Sequence, residues 1–357
     1  MPTALQPLAT FEMRRCSIYV AGKRRSGRPK YWCRTHYAGA WDPTGKPLGV
    51  CPRHDKLFPT AAGVLEVNAA DYPGGLGAWG CLRAVLNTTT LAPEVGIHVH
   101  GRPQAGGHKT LDATFGAVQL THDGVTRFID AETAISFTIS NVFGVPSKVM
   151  RCSHCGFEHV DADTFAVIPH KKHLCMSCGR DFIQSELAVG NPLAGLQQAN
   201  FEAWRRPTIQ ARRAIKIELD DWPGGIQIWG TNPALLWTSR KPEESGIHVH
   251  CYAERGLPYG QEAVDETFGS VVLNGESLDT DGIRLLMVQQ HMESLRGRMA
   301  CETCPSCGLK HTDKGPLAYT PHSGHDCEHC GKHFTTRRNV VSNASLDAVR
   351  HFSPVSA

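Results

Sequence analysis

The sequence predicts a β-rich α+β protein in which one domain is used twice in tandem, with a small metal-binding module ahead of it. Three observations carry this. A 31-residue stretch with two Cys-x-x-Cys pairs occurs twice without a gap. A second stretch, closing on Gly-Ile-His-Val-His, also occurs twice at nearly the same offset. Between them lie short β-branched runs punctuated by Gly and Pro, which is the pattern of strands and turns.

The first stretch runs from Cys152 to Phe182 and again from Cys304 to Phe334. Cys152, Cys155, Cys175 and Cys178 fall on Cys304, Cys307, Cys327 and Cys330, a constant offset of 152 (304 − 152). Each Cys-x-x-Cys is followed by Gly, which lets a tight turn aim two thiolates at one point. Two such turns close a tetrahedral shell around zinc, and this is the pattern of a zinc ribbon. A redox dithiol would need neither a second pair nor a matched separation. His159, His170 and His173 recur as His311, His322 and His325. They are expected to pack around the ribbon or to hydrogen-bond to its sulfurs. His154, His329 and His333 have no counterpart and receive no metal role.

The first sixty residues read as a separate module. Cys33 and His36 form one knuckle, Cys51 and His54 another, and together they suit a third zinc. Cys16 is a spare ligand that would turn this shell into three Cys and one His. Between Cys16 and Cys33 lie Lys23, Arg24, Arg25, Arg28 and Lys30, a candidate phosphate-binding loop. Gly27-Arg28-Pro29 resembles part of an AT-hook, although Ser26 stands where that motif has its first arginine. The plainer reading is a solvated hairpin tip.

The larger repeat begins at Asp71. Asp71–His100 and Asp221–His250 are offset by 150 (221 − 71) and identical at half their positions. Asp112-Ala-Thr-Phe-Gly116 and Asp265-Glu-Thr-Phe-Gly269 follow, and Val189-Gly-Asn191 matches Val341-Ser-Asn343 beyond the ribbons. The expected layout is an N-terminal module at 1–60, repeat A at 61–194, a linker at 195–213, repeat B at 214–346 and a tail at 347–357. Strands are expected at 65–69, at 226–229, across each Gly-Ile-His-Val-His, and over 115–120 and 268–273. A helix is expected over 283–295, and more weakly over 134–143. The linker carries Arg205, Arg206, Arg212 and Arg213 on a basic helix or a solvated loop.

His98 and His100 stand two apart in a predicted strand, so both imidazoles leave one face while Ile97 and Val99 leave the other. His248 and His250 repeat this. With Asp112 or Asp265 alongside, each pair is a candidate catalytic site holding a divalent metal with open positions. Glu94 and Glu244 are further carboxylates in reach. The alternative is a structural cluster in which Asp112 and Thr114, or their counterparts, satisfy the rings. The motif is loosely similar to the His-x-His of cupin barrels. The Glu and the later His of that pattern have no matching pair here, since His122 and His291 do not correspond. No Ser-His-Asp context, phosphate-binding Gly loop, His-Glu-x-x-His or zinc-deaminase signature is present.

Composition sets the outer limits. The chain has 357 residues, 41% hydrophobic and 20% charged, with a net charge of +3. That excludes a globally basic nucleic-acid coat, so any basic surface is local. No apolar run approaches the ~20 residues of a membrane span, and the first residues lack a signal-peptide core. Eight of the fourteen cysteines gather in the Cys-x-x-Cys pairs of the two ribbon stretches, which points to thiolate–metal use in a reducing cytoplasm. The expectation is a multi-zinc binding protein acting on nucleic acid or within a nucleoprotein assembly. A metalloenzyme using His98, His100 and Asp112, or His248, His250 and Asp265, is the alternative, and an adaptor for protein partners is the third.

Overall fold

The structure, a computed structural model, describes residues 18–23, 29–33, 38–39, 63–81, 86–87, 96–101, 111–199, 209–222, 225–231, 244–251 and 264–352. Near the N-terminus β1 (Ile18–Lys23), β2 (Pro29–Cys33) and β3 (Ala38–Gly39) form a three-stranded antiparallel sheet. Arg24, Arg25, Arg28, His36, Cys51 and His54 lie outside the described residues, as does Cys16. The side chains of Lys23, Lys30 and Cys33 are likewise outside them.

The first half continues with β4 (Val64–Asn68), β5 (Leu76–Cys81), β6 (Leu86–Asn87), β7 (Gly96–Gly101), β8 (Leu111–Phe115), β9 (Ala117–His122), β10 (Val125–Asp130) and helix α1 (Ala131–Val142). β5, β7 and β8 make one antiparallel sheet, while β4 runs parallel to β9 in a second sheet with β10. The sequence reading ran one strand across 115–120. The chain instead switches sheets at Gly116, whose amide donates to the carbonyl of Gly63 at 3.0 Å. The second half holds β14 (Ile209–Gln210), β15 (Ala214–Ile217), β16 (Ile226–Thr231), β17 (Glu244–Cys251), β18 (Val264–Phe268), β19 (Ser270–Leu273), β20 (Glu276–Leu278) and helix α3 (Thr280–His291). Its pairings include antiparallel β16–β17–β18 and parallel β15–β19. The switch there falls at Gly269, where a Cβ would collide with the carbonyl of Ala211. Of the linker at 195–213, residues 195–199 belong to a short helix (Leu193–Ala199) and 209–213 include the short strand β14, while Arg205 and Arg206 lie outside the described residues.

Alternation explains these strands. Ile97 and Val99 are buried, as are Ile247 and Val249, while the residues between them face out of the core. The helices start where the sequence supplies a cap. Asp130 accepts from the amide of Thr133 at 2.8 Å, and Asp279 accepts from that of Asp281 at 2.8 Å. Both helices lie on sheet strands at a glycine. A Cβ on Gly230 would strike the backbone of Arg284, so β16 and α3 approach more closely than any side chain permits.

The two halves share one hydrophobic core. Phe137 and Ile139 of α1 belong to the same buried cluster as Leu286 and Val288 of α3. Phe143 meets Tyr319 edge-on at 5.1 Å. β6 of the first half pairs with β16 of the second, Leu86 opposite Ile228.

Each half then ends in a small module. β11 (Ser147–Lys148), β12 (His170–Leu174), β13 (Asp181–Gly190) and helix α2 (Leu193–Ala199) form the first. β21 (Met299–Ala300), β22 (His322–Asp326), β23 (His333–Ser342) and helix α4 (Leu346–Phe352) form the second. Each module is fastened to the helix before it by an asparagine. Asn191 Nδ2 donates to the carbonyl of Thr133, and Asn343 Nδ2 to that of Gly282, both at 3.0 Å. Among the described residues no helix is long and apolar enough to cross a membrane.

Candidate metal centres

In each module four sulfurs gather. Cys152 Sγ lies 3.8 Å from Cys178 Sγ and Cys155 Sγ 3.6 Å from Cys175 Sγ. In the second module Cys304 and Cys330 are 3.7 Å apart, Cys307 and Cys327 3.6 Å. A disulfide would bring two sulfurs to about 2.05 Å. A tetrahedral shell with Zn–S bonds of about 2.3 Å sets its sulfurs about 3.8 Å apart, so the spacing fits a metal. The local backbone is built for it. Gly156 (φ 73°) donates to the carbonyl of Cys152 and Gly179 (φ 69°) to that of Cys175, each at 2.8 Å. These left-handed positions close the two turns, and Gly308 and Gly331 do the same in the second module.

The second kind of cluster sits on the sheets. His100 pairs directly with Asp112 across β7 and β8, and His98 with Thr114, so the period of two puts all four on one face. His98 Nε2 lies 3.2 Å and His100 Nε2 3.6 Å from the same Asp112 oxygen. In the second half His248 and His250 each place Nε2 3.1 Å from one oxygen of Asp265. Their two Nε2 atoms are 2.7 Å apart, so at most one of them carries a proton toward the other. Behind each first histidine stands a threonine: His98 Nδ1–Thr114 Oγ1 is 2.9 Å, His248 Nδ1–Thr267 Oγ1 3.0 Å. A hydroxyl both donates and accepts, so it can hold Nδ1 in either tautomer and leave Nε2 free for a ligand role. Trp79 and Trp229 stand edge-on to His100 and His250 at 4.8 and 4.7 Å. Glu94 lies outside the described residues, and the side chain of Glu244 does too.

The two triads face each other. The His100 ring centroid is 6.3 Å from those of both His248 and His250. Burial, then the charge of His98, pushes His100 down to about 4 against the pull of Asp112. Burial, then the charge of His248, pushes His250 down to about 4 as well. Both rings are therefore neutral near pH 7, the form that donates a lone pair to a metal. The hydrogen bond to His248 holds Asp265 down at about 2 despite its partial burial.

The module histidines do not gather on the sulfurs. In the first module they converge on a carboxylate the sequence reading passed over, Asp161, and in the second on Asp313. The signal was present, since both stand two residues after a retained histidine. His154 and His329 reach backbone carbonyls, and His333 an exposed Asp326.

No family model matches this chain, and no curated protein or solved structure matches it. Fold and sites together define a metal-binding protein of mixed α+β, strand-rich architecture. Its two four-cysteine clusters have the form of zinc-ribbon-like modules, and its His/Asp clusters can hold metal ions.

Proposed function

We propose that this chain is a tandem duplication and a metal-dependent enzyme whose centre is formed jointly by His98, His100 and Asp112 with His248, His250 and Asp265. The zinc-bound modules serve as its rigid flanks. The observation that carries this is the approach of His100 to within 6.3 Å of both second-half rings, which makes two three-ligand sets into one polar centre. Two imidazoles and one carboxylate leave part of a metal's shell open to substrate and water. A divalent metal there supplies an electrophile for a substrate oxygen and lowers the pKa of water toward neutrality. The protein's own part is to present neutral Nε2 atoms, to orient His98 and His248 through Thr114 and Thr267, and to wall the centre with Trp79 and Trp229. Hydrolysis of an ester or phosphoester is the reaction class that such a centre suits.

The test is isothermal titration of zinc and manganese into metal-stripped full chain and into His98→Ala/His248→Ala. It is followed by hydrolysis assays of activated carboxylic and phosphoric esters. Metal binding beyond the cysteine sites that the variant loses, with metal-dependent turnover, supports the reading. Identical binding in both proteins would sink it.

A second reading keeps nucleic acid as the partner. It rests on the pairing of Ile18 with Cys33 and Lys23 with Pro29, which sets residues 24–28 between two paired strands. Lys23, Arg24, Arg25, Arg28 and Lys30 fall within eight residues of sequence, a local run of cations that would meet phosphates.

A further inference from the structure

We propose that each ribbon-like module holds a second metal ion, zinc, apart from its four sulfurs. His159, Asp161 and His173 bind it in the first module, and His311, Asp313 and His325 in the second.

Asp161 Oδ2 accepts the amide of Gly190 at 2.7 Å. Three imidazole nitrogens surround the rest of the carboxylate: His159 Nε2 lies 2.6 Å and His170 Nε2 3.3 Å from Oδ1, and His173 Nδ1 3.2 Å from Oδ2. His170 donates Nδ1–H to the carbonyl of Ile168 at 2.7 Å. His159 and His173 are buried, and the far nitrogen of each, Nδ1 and Nε2, has no hydrogen-bond partner. Each ring thus engages its surroundings through the one nitrogen aimed at Asp161. Two buried imidazole nitrogens and a carboxylate oxygen thus converge on one place, and a divalent cation there would take their lone pairs directly.

The second module repeats the arrangement. His311 Nε2 is 2.9 Å, His322 Nε2 3.3 Å and His325 Nδ1 3.1 Å from Asp313 Oδ1. His322 donates Nδ1–H to the carbonyl of Thr320 at 2.8 Å, and its Nε2 makes no hydrogen bond. Ser342 N–H occupies Asp313 Oδ2, as Gly190 does for Asp161. Zinc with N/O bonds of about 2.0–2.1 Å sets its ligand atoms about 3.3 Å apart; His173 and His325 stand at 3.2 and 3.1 Å from their carboxylates, and His159 and His311 are closer at 2.6 and 2.9 Å. The donor set, two buried imidazoles and a carboxylate with a further imidazole at its edge, is one that zinc takes. The aromatic wall between the two metals is also fixed. Phe182 packs with Cys152 and Cys175 and stacks on His173 at 5.3 Å, and Phe334 stacks on His325 at 5.2 Å.

The experiment is zinc content per chain, by elemental analysis, of zinc-loaded full-length protein and of Asp161→Asn and Asp161→Asn/Asp313→Asn. The expected result is the loss of one zinc per altered module. Cobalt substitution should show the sulfur-to-metal absorption of the cysteine sites intact. A second measurement does not depend on the variants folding: zinc-edge anomalous diffraction from crystals of the unaltered chain, expected to place density beside Asp161 and Asp313. Unchanged zinc content in folded variants, or anomalous density absent beside both carboxylates, overturns the proposal.

Discussion

His100 and His250 belong to different halves of the chain, yet their ring centroids stand 6.3 Å apart, edge to face. Burial is the main cause that lowers each ring, and each is also pushed down by the first histidine of the opposite pair and drawn up by the opposite aspartate. Metal bound on one side should therefore alter binding on the other. His98→Ala/His100→Ala is expected to remove the first-half metal and to change the second-half affinity by about 5-fold or more, the lower end of ordinary site coupling. Calorimetric titration checks this. A second-half affinity equal to that of the unaltered protein would mean two independent sites.

The same rings predict an acid-sensitive fold in metal-free protein. In the unfolded chain they take up protons near 6.5, whereas in the folded chain they hold off until about 4. The unfolded state binds more protons between those values, so stability is full above about pH 6.5 and falls as pH drops toward about 4. Asp265 adds a further loss, since it is ionised in the folded chain down to about 2 and protonates in the unfolded chain near 3.8. Urea midpoints measured across this range should decline with acid. The decline between 6.5 and 4 should flatten in His100→Gln/His250→Gln. An undiminished slope in that variant would show that other groups set it.

Asn343 ties a module to its domain. Its Nδ2 reaches both the carbonyl of Gly282 and Gln289 Oε1 at 3.0 Å, and its Oδ1 accepts the amide of Ser345 at 2.9 Å. The residue is fully buried. Asn343→Ala leaves buried groups unpaired and should cost about 1–3 kcal/mol. Chemical denaturation measures the change. A shift under about 0.5 kcal/mol, the range of an ordinary surface substitution, would mean that water replaces the amide.

Much of this was legible because the chemistry lies in local spacing. Two Cys-x-x-Cys-Gly turns announce a four-sulfur cluster whatever the fold around it. The alternation of Ile97, His98, Val99 and His100 places two imidazoles on one face by strand geometry alone. Asp112 and Thr114 could be nominated as partners, because an Asp-x-Thr-Phe-Gly run follows each His-x-His pair in both copies. Less legible was anything set by long-range pairing. The switch of sheets at Gly116 needs Gly63 as a neighbour, which no local pattern names. Helix α1 is buried on nearly every side between Ala131 and Ser140, so it has no polar stripe to betray its period. The approach of His100 to His248 depends on how the two halves pack, and sequence offsets carry no information on that.

The basic run at 23–30 gives the last prediction. Lys23 to Lys30 hold five cations within eight residues of sequence, and net charge elsewhere nearly cancels. The described part of the linker adds less than its composition suggests. Arg213 is engaged with Glu266 at 2.6 Å and lies over the Phe268 ring at 5.4 Å. Binding to nucleic acid should then be local and strongly salt-dependent. If hairpin and linker each neutralise about three phosphates, log affinity falls with log salt at a slope of roughly −4 to −5. Changing Lys23, Arg24, Arg25 and Arg28 to Ala should weaken binding and make that slope shallower by about one for each phosphate left without its cation. Arg213→Ala should leave the slope unaltered, because its charge is already paired. Fluorescence anisotropy with single- and double-stranded DNA and RNA over a salt series reads both quantities. An absence of binding at low salt, or binding that the hairpin variant retains in full, removes nucleic acid as the partner and leaves the paired His-x-His centre as the seat of function.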